Sequence, residues 1–154
     1  MSGISVKHVV FGGLVTGLVI NVGETVLNGY LLMPHYADRM MVYGVPESPY
    51  SVPIFTVYGF VLGIAAIWLY AAVRPRFGAG PRTAVMVGLF IWVLYAGSFA
   101  SFHLAIPLFP PVVPFGNLAW GLVEGPVAVL LGAWVYRESG GTVGHSADAT
   151  VAAA

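Results

Sequence analysis

The chain has no cysteine. Disulfides, thiolate metal sites, iron–sulfur clusters and cysteine nucleophiles are therefore excluded, and cysteine usage gives no information about the redox compartment. Charged residues make up only 8% of the 154 residues, whereas a soluble domain needs about 25% to cover a surface that faces water. Six basic and six acidic residues cancel, so the charge gives no support for nucleic acid as a partner. Most of the surface must face lipid.

Sequence motifs for common enzymes and metal sites are also missing. There is no Gly-rich phosphate loop, no HExxH zinc motif and no Gly-x-Ser-x-Gly elbow. Of the four histidines, only His103 lies inside an apolar segment, so two spans cannot each supply a histidine to a haem. No helix offers the Glu-x-x-His pair of a carboxylate di-metal site. The sequence identifies no cofactor and no metal ligands, and it gives little support for an enzyme.

Four apolar segments are long enough to cross a bilayer, which takes about 20 residues of helix. They are Val9–Leu32, Val52–Val73, Thr83–Ile106 and Phe115–Tyr136. Prolines mark their ends, where a missing amide hydrogen costs little: Pro34 follows the first segment, Pro53 opens the second, Pro75 follows it, and Pro107, Pro110, Pro111 and Pro114 separate the third from the fourth. The alternating polarity of membrane strands is missing. The sequence predicts an all-α bundle of four transmembrane helices.

The first apolar segment, the first outer loop and the C-terminal tail complete the predicted organisation of the chain. The first apolar segment contains Asn21 and Glu24 and has no convincing cleavage site after it, so we expect a retained span and not a secretory signal. In the first outer loop, the aromatic stretch His35–Tyr43 is suited to a short interfacial helix. We expect one membrane domain over residues 1–138, followed by a disordered polar tail over residues 139–154.

Basic residues predict the orientation. Five of the six lie on one side of the predicted spans, and only Arg39 lies on the other; the five are Lys7, Arg74, Arg76, Arg82 and Arg137. Because basic residues accumulate in cytoplasmic loops, we expect both termini in the cytoplasm. The expected location is a cytoplasmic (inner) membrane of the bacterial type.

Glycine pairs spaced four residues apart occur in three spans. They are Gly13–Gly17, Gly59–Gly63 and Gly121–Gly125. Small residues at this spacing let two helices approach closely in lipid. The simpler interpretation is packing within a single bundle. The alternative is that one pair forms the interface of a homodimer.

Three ionisable residues lie inside the predicted spans: Glu24, His103 and Glu124. A charge near the centre of a bilayer costs about 2.5–3.5 kcal/mol on insertion scales, so each one needs a partner or a purpose. Counted from the predicted span ends at about 1.5 Å per residue, all three lie in the outer half of the membrane. The two glutamates lie at similar depths.

Helical spacing places these glutamates on polar stripes. Asn21, Glu24 and Asn28 share one face of the first span, and Asn117 and Glu124 share one face of the fourth. Polar stripes avoid lipid, so the two are expected to face each other or a shared cavity. Trp92, Tyr95, Trp120, Thr56 and Tyr58 are candidates to lie at the same level.

Two carboxylates that meet in a low dielectric cannot both ionise cheaply, so one of them is expected to hold a proton. Such a pair suits a proton relay, or a cation site completed by His103 and the asparagines. The alternative is purely structural: each protonated glutamate hydrogen-bonds an asparagine or a carbonyl and locks the bundle. A third interpretation is that the two glutamates form part of an interface with another protein. His103 by itself also fits an ordinary interfacial histidine.

Three functions remain open. The first is an accessory subunit or assembly partner of a membrane complex, which fits the small size and the missing catalytic signatures. The second is a small oligomeric transporter linked to protons or cations, in which Pro126 opens the helix beside Glu124. The third, with the least support, is an enzyme acting on a lipid or a quinone with Glu124 and His103 as acid and base.

Overall fold

The computed structural model describes residues 4–46 and 48–138, and the predicted disordered tail lies outside these residues. The described chain is a bundle of membrane-spanning helices, as predicted. Its helices are α1 (Val6–Val26), α2 (Met33–Tyr43), α3 (Ser51–Phe77), α4 (Pro81–Trp92), α5 (Ser98–Ala105) and α6 (Val112–Glu138). Wider π-helical turns at Leu27–Leu31 and Val93–Gly97 extend α1 and join α4 to α5.

Four helical segments are long and apolar enough to cross a membrane. They are Val6–Leu31, Ser51–Phe77, Pro81–Ala105 and Val112–Tyr136. The boundaries differ from the sequence prediction because two prolines lie inside helices and do not separate them. Pro75 lies within the last turn of α3, and Pro114 lies in the first turn of α6, where helical amides have no partner. The apolar helices imply a lipid bilayer as the surroundings.

The bundle has two distinguishable ends. We call the end with the connections 32–50 and 106–111 the loop end, and the other, which carries Arg74, Arg76 and Arg82, the arginine end. Close to the arginine end the core is apolar, with Ile67 and Val129 fully buried. There the buried Tyr70 hydroxyl accepts a hydrogen bond of 3.1 Å from the Gly80 amide, which fixes the turn between α3 and α4.

Glycines form the closest helix contacts, as the simpler interpretation of their spacing predicted. A Cβ on Gly63 of α3 would lie 2.4 Å from the Gly17 nitrogen and 2.5 Å from the Gly13 oxygen of α1. On the other side of the bundle, a Cβ on Gly88 of α4 would lie 2.6 Å from the Cα of Pro126 in α6. These glycine surfaces are therefore occupied by contacts within the chain, and α1 and α6 meet along the middle of the bundle.

The predicted helix in the first loop is present and begins at Met33, two residues before the expected start. Only Leu32 separates it from the first span. The helix ends at Gly44, which adopts the left-handed conformation with a φ of 64°. The short connection holds α2 across the loop end of the bundle. Tyr36 on α2 packs edge-on against Phe109 of the opposite connection, with ring centroids 4.9 Å apart.

Candidate functional site

Glu24 on α1 and Glu124 on α6 come together inside the bundle, where both line one small internal pocket. The two helices are antiparallel, and a helical side chain leans toward the N-terminus of its own helix. Glu24 therefore leans toward the arginine end and Glu124 toward the loop end, so their side chains converge. Glu24 lies seven residues before the end of its span.

The depth of Glu124 differs from the sequence estimate. It lies twelve residues from either end of its span, at the centre and not in the outer half. The difference arises because α6 begins at Val112, three residues before the predicted start at Phe115.

Gly23 provides the space for this meeting. A Cβ built on Gly23 would lie 1.8 Å from Oε1 of Glu124 and 3.2 Å from Nε1 of Trp120. The Glu124 carboxyl therefore lies directly on the backbone of α1, next to Glu24. Any larger residue at position 23 would occupy the space that this carboxyl fills.

A network of amides holds the carboxyl pair from the loop end. The Asn28 amide nitrogen donates to Oε2 of Glu24. Asn28 and Asn117 exchange hydrogen bonds of 3.2 and 3.3 Å across the seam between α1 and α6. Asn117 also donates to the Val113 carbonyl at 2.9 Å. These bonds tie Glu24 to both helices.

Glu124 has a donor of its own. The indole nitrogen of Trp120, one turn away on α6, donates to Oε1 of Glu124 at 3.3 Å. Trp92 lies beside the two glutamates but does not donate to their carboxyl groups. Its indole nitrogen instead donates to the Leu118 carbonyl at 2.9 Å. Both carboxyl groups thus receive N–H donors from neutral side chains.

A pocket of about 30 Å³ lies beside the pair, between α1, α3, α4 and α6. Its polar lining comes from Glu24, Glu124, Asn117, Tyr95 and Trp92, and the remainder is aliphatic. Because a water molecule needs roughly 10–15 Å³ of such space, the pocket has room for one or two waters, or for an ion of similar size. A larger groove of about 610 Å³ opens on the other side of Glu124, along the outer surface of α1 and α6.

Of the six residues predicted for this site, the structure brings together four: Glu24, Asn28, Asn117 and Glu124. Asn21 instead faces α3, where it donates to the Gly17 carbonyl at 2.8 Å and the Thr56 carbonyl at 3.2 Å. Its amide packs on Gly59, so it joins two helices. Asn21 shared the predicted stripe, but the close contact of α1 with α3 turns that edge of the stripe away from α6.

His103 lies apart from the carboxyl pair. It is buried among the rings of Phe99, Phe102 and Phe109, with centroids 4.1–5.4 Å away. Its Nδ1 pairs with the Phe99 carbonyl at 2.8 Å. These contacts account for the polar group of His103 without the glutamates and place it in the aromatic packing of the loop end.

Tyr36 belongs to the site, although the sequence analysis did not select it. Its hydroxyl donates to Oδ1 of Asn28 at 2.8 Å. Burial raises the pKa of the Tyr36 phenol, a hydrogen bond with Asn117 lowers it, and negative charge on Glu24 raises it. The available signal was Pro34 directly after the first span, because a proline in the first turn of a new helix indicates that the chain folds back at once.

The donor groups limit what the pair can bind. No group of three histidine or acidic side chains suited to a metal ion occurs among the residues that the structure describes. The N–H groups of Asn28 and Trp120 already point at the carboxyl oxygens, which favours a proton or a weakly coordinated monovalent cation over a metal that needs several ligands. Comparisons with family models, with curated proteins and with solved structures find no match for this chain.

Proposed function

We propose that this membrane protein is a small transporter linked to protons or monovalent cations, with Glu24 and Glu124 as its ion-binding pair. The observation that carries the proposal is the placement of two carboxyl-bearing side chains at one small pocket inside the bundle. Two ionised carboxylates repel strongly in a low dielectric, so the pair is stable only when it holds positive charge. A proton is the simplest such charge, and the adjacent pocket has room for the water that would deliver it.

Pro126 weakens the helical hydrogen bonding beside Glu124. It lies inside α6, two residues after Glu124, and it has no amide hydrogen to donate to the carbonyl one turn earlier. α6 continues through Pro126, but a weakened helix beside an ionisable side chain resembles the broken helices at ion sites of transporters. Four spans form a narrow bundle, so transport requires more than one copy of the chain.

Proton flux in liposomes tests this proposal. The purified chain is reconstituted, a potassium diffusion potential is applied, and acidification is followed with a dye inside the vesicles. We expect flux with the unmodified chain and its loss in Glu24→Gln and Glu124→Gln, which remove ionisation but keep the shape of each side chain. Asp38→Asn is the matched control, because Asp38 is an exposed carboxylate on α2, outside the pair.

Two results would refute the transporter. One is vesicles with the unmodified chain that are no leakier to protons than empty vesicles, both under this potential and with an opposing gradient of a monovalent cation. The other is flux that both glutamine variants retain at the level of Asp38→Asn. In either case the pair would be a structural lock of the bundle.

An accessory subunit of a membrane complex is the second candidate, and one observation favours it. All eight residues from Ser51 to Tyr58 at the start of α3 have exposed side chains. A helix in a bundle normally buries one face in every turn, but here two turns bury none, and Val52 and Phe55 are 76% and 67% exposed. Ser51 and Thr56 are among these exposed residues, and polar groups at helix contacts are often shared with a neighbouring helix.

Native mass spectrometry of the gently extracted protein separates the two candidates. Partner chains in fixed stoichiometry would favour the subunit, and Phe55→Arg should then release them. A chain that arrives alone or as a homo-oligomer, with no other protein, would eliminate the subunit and leave the transporter.

We also propose that the arginine end faces the cytoplasm, because Lys7, Arg74, Arg76 and Arg82 lie at that end. Single cysteines introduced into this cysteine-free chain test the orientation in intact cells. A membrane-impermeant thiol reagent should label Ser48→Cys in the first loop and should reach Ala79→Cys only after the membrane is opened. Labelling of Ala79→Cys alone would reverse the orientation.

A further inference from the structure

The groove lies on the outer surface of the membrane-spanning helices α1 and α6, so we expect it to face the hydrocarbon of the bilayer. Its walls include Val22 and Val123, which are 57% and 65% exposed near the middle of their spans. The small residues Gly23, Gly116 and Ala119 also line it, and they keep it open. Its volume of about 610 Å³ lies within the range of about 300–1,000 Å³ that is typical of pockets for small organic molecules.

Glu124 separates this groove from the internal pocket, because it lines both cavities. Trp120 lines the groove beside it and donates to its carboxyl group. Apart from these two residues, the groove is lined only by valine, glycine and alanine. An occupant therefore meets an almost wholly apolar surface, which Glu124 borders at its inner edge.

We propose that the groove binds a lipophilic monovalent cation, which enters from the hydrocarbon and pairs with Glu124. This inference rests on the proposed ion-linked function and names the class of ion. An apolar body is suited to the aliphatic walls, and one positive charge is balanced by one ionised carboxyl of the pair while the other keeps its proton. The Trp120 ring adds attraction for a cation placed over its face. An anion would leave charge uncompensated in lipid, and a dication would require both carboxyl groups of the pair to ionise.

Charge balance then couples binding of the cation to release of a proton from the carboxyl pair. When the pair holds two protons, binding of one monovalent cation releases one proton, and departure of the cation takes one proton back. The two ions compete for the same carboxyl oxygens, so the cation affinity should rise as protons are removed from the medium.

The experiment uses tetraphenylphosphonium as the probe and tetraphenylborate as an anion of matched size and shape. Binding of radiolabelled tetraphenylphosphonium to the full chain in detergent is measured by equilibrium dialysis. We expect saturable binding that tetraphenylborate does not displace. Glu124→Gln should weaken it by about 30-fold or more, the loss typical of removing one member of a buried charge pair.

A second variant keeps the result interpretable if Glu124→Gln fails to fold. Ala119→Leu fills the groove and leaves both glutamates in place, and it should weaken binding by about tenfold or more. Ala65→Leu is its matched control, because Ala65 is exposed on α3, away from the groove. Equal binding by the two alanine variants would overturn the proposal, and so would equal displacement by tetraphenylborate.

Two further outcomes separate this proposal from the transporter. Saturable cation binding that Ala119→Leu weakens, in a chain that moves no protons, would support the groove and refute transport. Proton flux without saturable binding of tetraphenylphosphonium would overturn the groove proposal but would still support Glu24 and Glu124 as a proton site.

Discussion

Gly23 determines where the carboxyl group of Glu124 lies. Without a side chain at this position, the carboxyl rests on the backbone of α1, at the residue that precedes Glu24. A helix made only for stability would favour alanine here, because glycine costs about 1 kcal/mol in a helix interior. The space is used by a polar group, so the glycine is better explained by the site than by helix packing alone.

Gly23→Ala should therefore separate the carboxyl pair. The added Cβ would lie 1.8 Å from Oε1 of Glu124, so the carboxyl must move away from Glu24. We expect loss of proton flux comparable to that of Glu124→Gln. Gly29→Ala is the control, because its Cβ would meet only a methyl group of Thr25 at 3.6 Å, an ordinary contact. Equal flux in the two alanine variants would show that the position of this carboxyl does not matter.

Tyr36 should make the stability of the bundle depend on pH in the alkaline range. Burial raises the pKa of the phenol, so its stabilising effect is complete below the ordinary tyrosine pKa of about 10 and declines as the pH rises above it. Tyr36→Phe should lower the free energy of unfolding by about 0.5–1.5 kcal/mol near neutral pH. In thermal unfolding in detergent, the difference from the unmodified chain should shrink above pH 10. A constant difference across that range would contradict this role of the phenol.

At the scale of helices, glycine contacts set the positions of the polar stripes. Gly13, Gly17 and Gly63 bring α1 and α3 into backbone contact, and Gly88 brings α4 onto α6. Because α1 touches both α3 and α6, its polar stripe is divided between them. Asn21 faces α3, while Glu24 and Asn28 face α6.

Gly63→Ala should destabilise the bundle by pushing α1 away from α3. The new Cβ would lie 2.4 Å from the backbone nitrogen of Gly17, which cannot move independently of its helix. Overpacking of this kind costs about 1–3 kcal/mol, so the midpoint of thermal unfolding in detergent should fall. Gly97→Ala, whose Cβ meets nothing within 4 Å, should leave the midpoint unchanged or raise it slightly. A midpoint for Gly63→Ala equal to that of Gly97→Ala would rule out the tight contact.

At the scale of the whole molecule, composition and periodicity were enough to predict the four-helix fold. Apolar length defines the spans, and the spacing of Glu24 and Glu124 on their helices predicted the polar stripes. Periodicity cannot say which neighbour a stripe faces, because that depends on which glycines make the closest contact. Asn21 was therefore assigned to the wrong neighbour. Tyr36 was missed because its place depends on how tightly the chain turns after Leu32.

The central claim is that Glu24 and Glu124 act as one ion-binding unit. The most direct measurement is an infrared titration of these half-buried carboxyl groups in the unmodified chain, Glu24→Gln and Glu124→Gln, all carrying Asp38→Asn. If the two groups are coupled, removing one shifts the pH at which the other gains its proton. Identical titration of the remaining carboxyl, with or without its neighbour, would contradict the account.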